Sequence, residues 1–141
     1  MSGRASVLEA LSRLAPVRAV RGNADDGPLG ESLPPSLRVD LGALRALLVH
    51  EADPGAPKAE LHRLLAAERP DLVVHGHSHR PGAALREGTL FLDPGSAGPR
   101  RFSLPRTACV VEIEGRRLRA RWWDLAAHPA EPFRDPFEAV L

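Results

Sequence analysis

What the 141-residue sequence has little of narrows its class first. It holds one cysteine, Cys109, so neither an internal disulfide framework nor a cysteine-based zinc knuckle can form. It has no tyrosine, and aromatic residues are 4% of the chain, which leaves Leu, Ala and Val to fill most of a core. There is no excess of one charge: 19 basic against 18 acidic side chains leave a net +1, without the footprint of a nucleic-acid or acidic-membrane binder. Lys58 is the only lysine among those basic residues, a bias of composition rather than a basic patch. No apolar run approaches the roughly 20 residues of a membrane-spanning helix. Met1 to Val7 shows no basic stretch leading into an apolar one, so no signal peptide is read there. These absences predict a cytoplasmic protein with no nucleic-acid or membrane partner. What is present, 43% hydrophobic and 26% charged, is the composition of one globular domain.

The pattern along the chain predicts an α/β fold. Ser6-Val7-Leu8-Glu9 has the form of a capping box, and Val7, Leu8, Leu11 and Leu14 follow at helical spacing up to Pro16. Val17 to Val20 reads as a short strand ending in the turn-rich segment Arg21 to Gly27, and Pro28 to Ser36 as a loop. Leu37–Leu41 and Ala43–His50 read as a hairpin about Gly42. Lys58–Glu68 is a helix with Leu61, Leu64 and Leu65 on its apolar face. Leu72-Val73-Val74 is a strand buried on both faces. Ala83–Leu85 with Thr89–Leu92, and Thr107–Ile113 with Arg116–Trp123, are two further hairpins, and in the second Trp122 and Trp123 point to opposite faces. Residues 1–127 form the domain, and 128–141, with Pro129, Pro132 and Pro136, a Pro-rich extended tail.

Chemistry concentrates at strand ends. Imidazoles two residues apart, as in Gly76-His77-Ser78-His79, share a face of an extended backbone and can converge on one metal ion. The competing reading is a polar loop whose histidines cap strand ends. Ligands in open α/β sheets bind at the carboxyl ends of strands. Three such ends deliver metal-capable side chains here: Asn23 after Val20, His50 after Val49, and His77 and His79 after Val74. An amide oxygen with three imidazoles is an incomplete divalent-metal shell, because no carboxylate bridges or offsets charge. His75 reads as a packing residue, His62 and His128 as exposed, and Cys109 as a buried, inert thiol.

The order of motifs then becomes recognisable. Gly22-Asn23-Ala24-Asp25, Leu48-Val49-His50, Gly76-His77-Ser78-His79-Arg80-Pro81, and Asp93-Pro94-Gly95-Ser96 with Pro99-Arg100 resemble the calcineurin-like metallophosphoesterases, and among them the small bacterial YfcE-like phosphodiesterases. The family pattern reads Gly-Asn-Cys/His-Asp, Thr-His-Gly-His, Gly-His-Thr-His-x-Pro and Asn-Pro-Gly-Ser, and the resemblance runs from Val7 to about Asp124. It implies an αββα sandwich of two mixed sheets flanked by helices, with two divalent metals (Mn, Ni, Fe or Zn) that activate a hydroxide for attack on a small phosphoester. It places Asn23, His50 and His77 on the second metal and His79 on the first. It gives Asp25 a catalytic role in orienting a ligand or the substrate, and Ser96 and Arg100 a structural one.

The departures are equally specific. The family opens with a strand ending in Asp-x-His and a second ending in Gly-Asp, and neither motif occurs in this sequence. The expected fold is therefore an incomplete sandwich without the N-terminal βαβ unit of roughly 30–40 residues, holding at most one metal well. Glu51-Ala52 replaces the Gly-His that follows the ligand histidine, putting a carboxylate near the site. Unpaired strand edges would also favour a homo-oligomer. Three functions follow: a metal-dependent phosphoesterase, impaired in this chain; a non-catalytic protein-binding scaffold, as in the retromer subunit that resembles these enzymes; or a mononuclear metal protein using Asn23, His50 and His77, with His79.

Overall fold

The computed structural model describes residues 3–141. Helix α1 spans Gly3–Ser12, so Ser6 lies within the helix and the Ser6/Glu9 capping box is not its start; Glu9 instead pairs with Arg13 one turn on. Its apolar stripe is not buried: Val7, Leu11 and Leu14 are all exposed, Leu14 at 84%. Val17 to Val20 belongs to no sheet, contrary to expectation. A strand needs a neighbour to take its N–H and C=O groups. Just beyond this segment the Arg21 N–H donates to the Pro34 carbonyl at 2.9 Å, a single link that makes no ladder. The expected loop after it contains a short helix, α2 (Gly27–Ser32), favoured by Pro28 in its first turn, where a missing N–H costs nothing.

The hairpin about Gly42 forms as predicted, β1 (Ser36–Leu41) antiparallel to β2 (Leu44–Glu51). Helix α3 (Ala59–Glu68) then carries the chain back so that β3 (Leu72–Gly76) runs parallel to β2. Strands β4 (Gly82–Arg86) and β5 (Thr89–Asp93) form the next hairpin, and β5 pairs parallel to β3. The first sheet therefore has the order β1-β2-β3-β5-β4 and is mixed. The second sheet is antiparallel about β7: β6 (Thr107–Glu114) and β7 (Arg117–Asp124) pair along their length, and β8 (Glu131–Pro132) and β9 (Phe137–Val140) share the other side of β7. Residues 128–141, expected as a tail, are extended and contribute those last two strands.

Alternation along the strands divides the core in two. Leu44, Ala46, Leu72, Leu90 and Leu92 point at the second sheet and meet Leu118, Ala120 and Trp122. Leu47, Val49, Val73 and Phe91 point the other way and meet Leu61 of α3. Each buried Leu or Val contributes roughly 1.5–3 kcal/mol by leaving water. Trp122 is buried and Trp123 half-buried, so the pair does split across the sheet. At the end of the sandwich where β3 begins, Arg116 in the β6–β7 turn joins the sheets. Its Nη2 lies 2.7 Å from Asp71 Oδ1 and its Nη1 donates to the Ala43 carbonyl.

Candidate functional site

Because β2, β3 and β5 are parallel, their carboxyl ends lie along one edge of the first sheet. That edge collects His50 and Glu51 from β2, Gly76 and the loop after it from β3, and Asp93 from β5. A register shift between Leu48 and Glu51 sets Glu51 opposite Gly76. The turn at Gly22–Asp25 closes over the same edge, its Gly22 N–H donating to Asp25 Oδ2 at 2.6 Å. The turn is packed tightly on α2: a Cβ at Gly30 would stand 1.9 Å from the Asp25 carbonyl oxygen, so only glycine fits.

Three of the four side chains expected as metal ligands meet. His50 Nε2 lies 2.8 Å from Asn23 Oδ1 and 3.2 Å from His77 Nδ1, and the two imidazoles stand edge to face at 5.1 Å. Either His50 Nε2 carries the proton and donates to the amide oxygen, or it is bare and accepts from His77. His79, on the same loop, makes no hydrogen bond to these three among the described residues. Its effect is electrostatic, helping to hold the His50 pKa below its ordinary value. Burial is the largest cause of that shift and His77 the next, while Glu51 and Asp25 oppose them.

The carboxylates near the cluster are otherwise engaged. Asp25 is tied to the Gly22 N–H, as a turn-closing residue. Glu51 faces Lys58, with both carboxylate oxygens within 3.0 Å of Nζ, and that hydrogen bond holds its pKa down. The sequence places the Glu51 carboxylate near the site; the structure gives it to Lys58. Among the described residues, no three His, Cys, Asp or Glu side chains are arranged to hold a metal ion. The donors that do converge are two neutral imidazoles and an amide oxygen. This set suits one divalent ion weakly and does not fit a two-metal centre, which needs a carboxylate to bridge and to offset charge.

Beside the cluster lies a cleft of about 350 Å³ between the 21–23 turn and α3, lined by Arg21, Asn23, His50, Lys58, Leu61 and Leu64. A larger cleft of about 660 Å³ runs along the other flank of α3, near Arg69, Arg86 and Phe91, away from the histidines. The remaining histidines behave as read. His62 and His128 are exposed, and His75 is packed edge-on against Phe91 with its Nδ1 unpaired, 3.8 Å from Asp93 Oδ2. The residue that sequence reading passed over is Asp93. Asp93-Pro94-Gly95 has the composition of an exposed turn, yet Asp93 is 4% exposed. Its Oδ2 accepts from Ser78 Oγ at 2.6 Å, its Oδ1 from the Gly95 N–H at 2.8 Å, and its carbonyl from the Trp122 indole at 2.9 Å.

Comparison with known proteins gives a consistent picture. Residues 2–116 match the calcineurin-like phosphoesterase superfamily domain. A probable metallophosphoesterase of Methanothermobacter thermautotrophicus is 32% identical over 115 residues; the match covers 81% of this chain and 66% of that protein, just under two thirds of its length. Among solved structures, vacuolar protein sorting 29 (Vps29) from Cryptosporidium parvum superposes with a TM-score of 0.77 at 23% identity, over 96% of this chain and 76% of that one. The wild-type Vps29 of Entamoeba histolytica, solved as a complex with Zn²⁺, superposes with a TM-score of 0.74 at 21% identity, over 94% of this chain and 75% of that one. These likenesses establish a reduced calcineurin-like sandwich of two sheets flanked by helices.

Proposed function

Starting from a chain that belongs to the calcineurin-like phosphoesterase superfamily, we propose that it works as a non-catalytic, protein-binding member of that superfamily. One observation carries this reading: the strand-end cluster of Asn23, His50 and His77 is built from neutral donors, while both nearby carboxylates are committed elsewhere, Glu51 to Lys58 and Asp25 to its own turn. A hydrolase of this kind needs anionic ligands to hold its cations close together and to balance their charge. Vps29, whose fold this chain shares, is named for protein sorting rather than for hydrolysis. The test is hydrolysis of bis(p-nitrophenyl) phosphate by the purified chain with Mn²⁺. The expected rate equals that of His77→Ala; turnover that disappears in His77→Ala overturns the reading.

A second reading rests on the convergence itself. Donor atoms 2.8 and 3.2 Å apart around His50 Nε2 sit at the spacing that a small divalent cation would bridge. In this reading the chain is a YfcE-like phosphodiesterase of reduced activity, acting on a small phosphoester. Asn23, His50 and His77, with His79 on the adjoining loop, would hold one Mn, Ni, Fe or Zn ion, which would supply a positive charge for a phosphoryl oxygen. Asp25 would act on the substrate through His50, since its carboxylate raises the His50 pKa while staying bound to Gly22. Arg21 and Lys58 would line the substrate's cleft.

A further inference from the structure

His77 and His79 both occupy the left-handed region, at φ 70° and φ 59°, where side chains other than glycine are strained. Such strain persists only where the surroundings fix it. Between the two strained residues stands Ser78, and its contacts are the fixing ones. The Ser78 N–H donates to the Gly76 carbonyl at 2.8 Å, and Ser78 Oγ accepts the Arg80 N–H at 3.0 Å and donates to Asp93 Oδ2 at 2.6 Å. Ser78 is itself exposed, so nothing about its burial would hold it. Asp93 is buried, and is anchored twice more: by the Gly95 N–H on its other carboxylate oxygen, and by the buried Trp122 indole on its carbonyl. The order of attachment therefore runs from the core of the sandwich outward.

We infer that Asp93 is the positioning residue of the site: through Ser78 it holds the His77–His79 loop in its strained form and so keeps His77 against His50. The Asp93 carboxylate offers two acceptor oxygens. In this chain both oxygens are used, one for the loop and one for its own turn. Without the serine hydroxyl the loop loses the side-chain hydrogen bond that ties it to the buried strand end. His77 and His79 then relax toward negative φ, and the His77 ring leaves His50. The inference takes only from the second, metal-binding reading that the Asn23–His50–His77 cluster is the working part of the molecule.

The test compares Ser78→Ala, Ser78→Thr and Asp93→Leu with the unaltered chain by two measurements. One is the NMR cross-relaxation between the His50 and His77 ring protons, which needs no metal. The other is Zn²⁺ uptake by calorimetry. Ser78→Ala is expected to lose the ring-to-ring signal and to bind Zn²⁺ 10- to 100-fold more weakly, the usual cost of removing a residue that orients a ligand. Ser78→Thr, which restores the hydroxyl, is expected to recover both. Asp93→Leu is expected to behave as Ser78→Ala; where it does not fold, the Ser78 pair decides alone. A ring-to-ring signal that survives in Ser78→Ala overturns the inference. If the unaltered chain takes up no Zn²⁺ but the signal is lost in Ser78→Ala and regained in Ser78→Thr, the positioning role stands and the metal-binding reading falls.

Discussion

His50 on β2 and His77 in the loop after β3 are 27 residues apart in sequence and meet with ring nitrogens 3.2 Å from one another. Two imidazoles this close cannot both be protonated without repulsion, and the His50 pKa is lowered, first by burial and next by His77. His50 is therefore expected to titrate below its ordinary 6.5. For a histidine lowered on folding, the unfolded chain takes up the proton first. The folded state consequently loses stability as the pH falls through 6.5 toward the lowered value, and loses no more below it. Following the His50 ring carbon resonances against pH tests this. In His77→Ala the midpoint moves back upward; an unchanged midpoint would show that burial alone sets it.

A second relationship, at the opposite end of the sandwich, sets acid stability. Burial pushes the Asp71 pKa up, but the Arg45 N–H at 2.8 Å and the Arg116 guanidinium at 2.7 Å outweigh it, and the net shift is downward. For a carboxylate lowered on folding, the contribution is complete above its ordinary value of 3.8 and is lost as the pH falls through the lower, folded value. Asp71→Ala leaves the Arg45 N–H without its partner and is expected to cost about 1–3 kcal/mol at pH 7. Arg116→Ala is expected to cost less, about 1 kcal/mol or under, because the arginine is half exposed. Urea denaturation of both variants at pH 7 and pH 3 checks the order, and the difference from the unaltered chain shrinks at the lower pH.

How far the sequence reveals this fold depends on how local each cause is. Leu72-Val73-Val74 is legible as a strand because an apolar triplet between Pro70 and a His/Gly segment has few other uses. The meeting of His50 with His77 follows from two parallel strands ending at one edge. The role of Asp93 is hidden, because Asp-Pro-Gly reads as a turn and its burial is fixed by Trp122, 29 residues later. Val17 to Val20 is misread for a related reason: its composition suits a strand, but a strand is made by its neighbour. Helix α2 is missed because six residues containing two glycines and a proline carry no periodicity.

Cys109 makes a chemical prediction. Its thiol lies on the inner side of β6 across from Trp122, and burial raises its pKa to about 11. At pH 8 almost none of it is thiolate, the form that reacts. Labelling by iodoacetamide at pH 8 is expected to be far slower for the folded chain than for the chain in 6 M guanidinium chloride. Equal rates would place the thiol at the surface.

Gly30 tests how the turn over the strand ends is held. Its position in α2 brings the backbone so close to the Asp25 carbonyl that a methyl group would overlap it, at 1.9 Å. Alanine favours a helix over glycine by roughly 1 kcal/mol, so helix propensity alone predicts that Gly30→Ala stabilises the chain. The contact predicts the reverse: backbone cannot swing aside as a side chain can, and overpacking of this kind costs about 1–3 kcal/mol. The Gly22–Asp25 turn has to move, and Asn23 moves with it away from His50, to which its amide oxygen is now held at 2.8 Å. Gly30→Ala is therefore expected to lower the denaturation midpoint and to shift the side-chain amide resonances of Asn23 and the ring resonances of His50 together. A stabilised variant with both sets of resonances unmoved would show that α2 does not set the height of the turn over the strand ends.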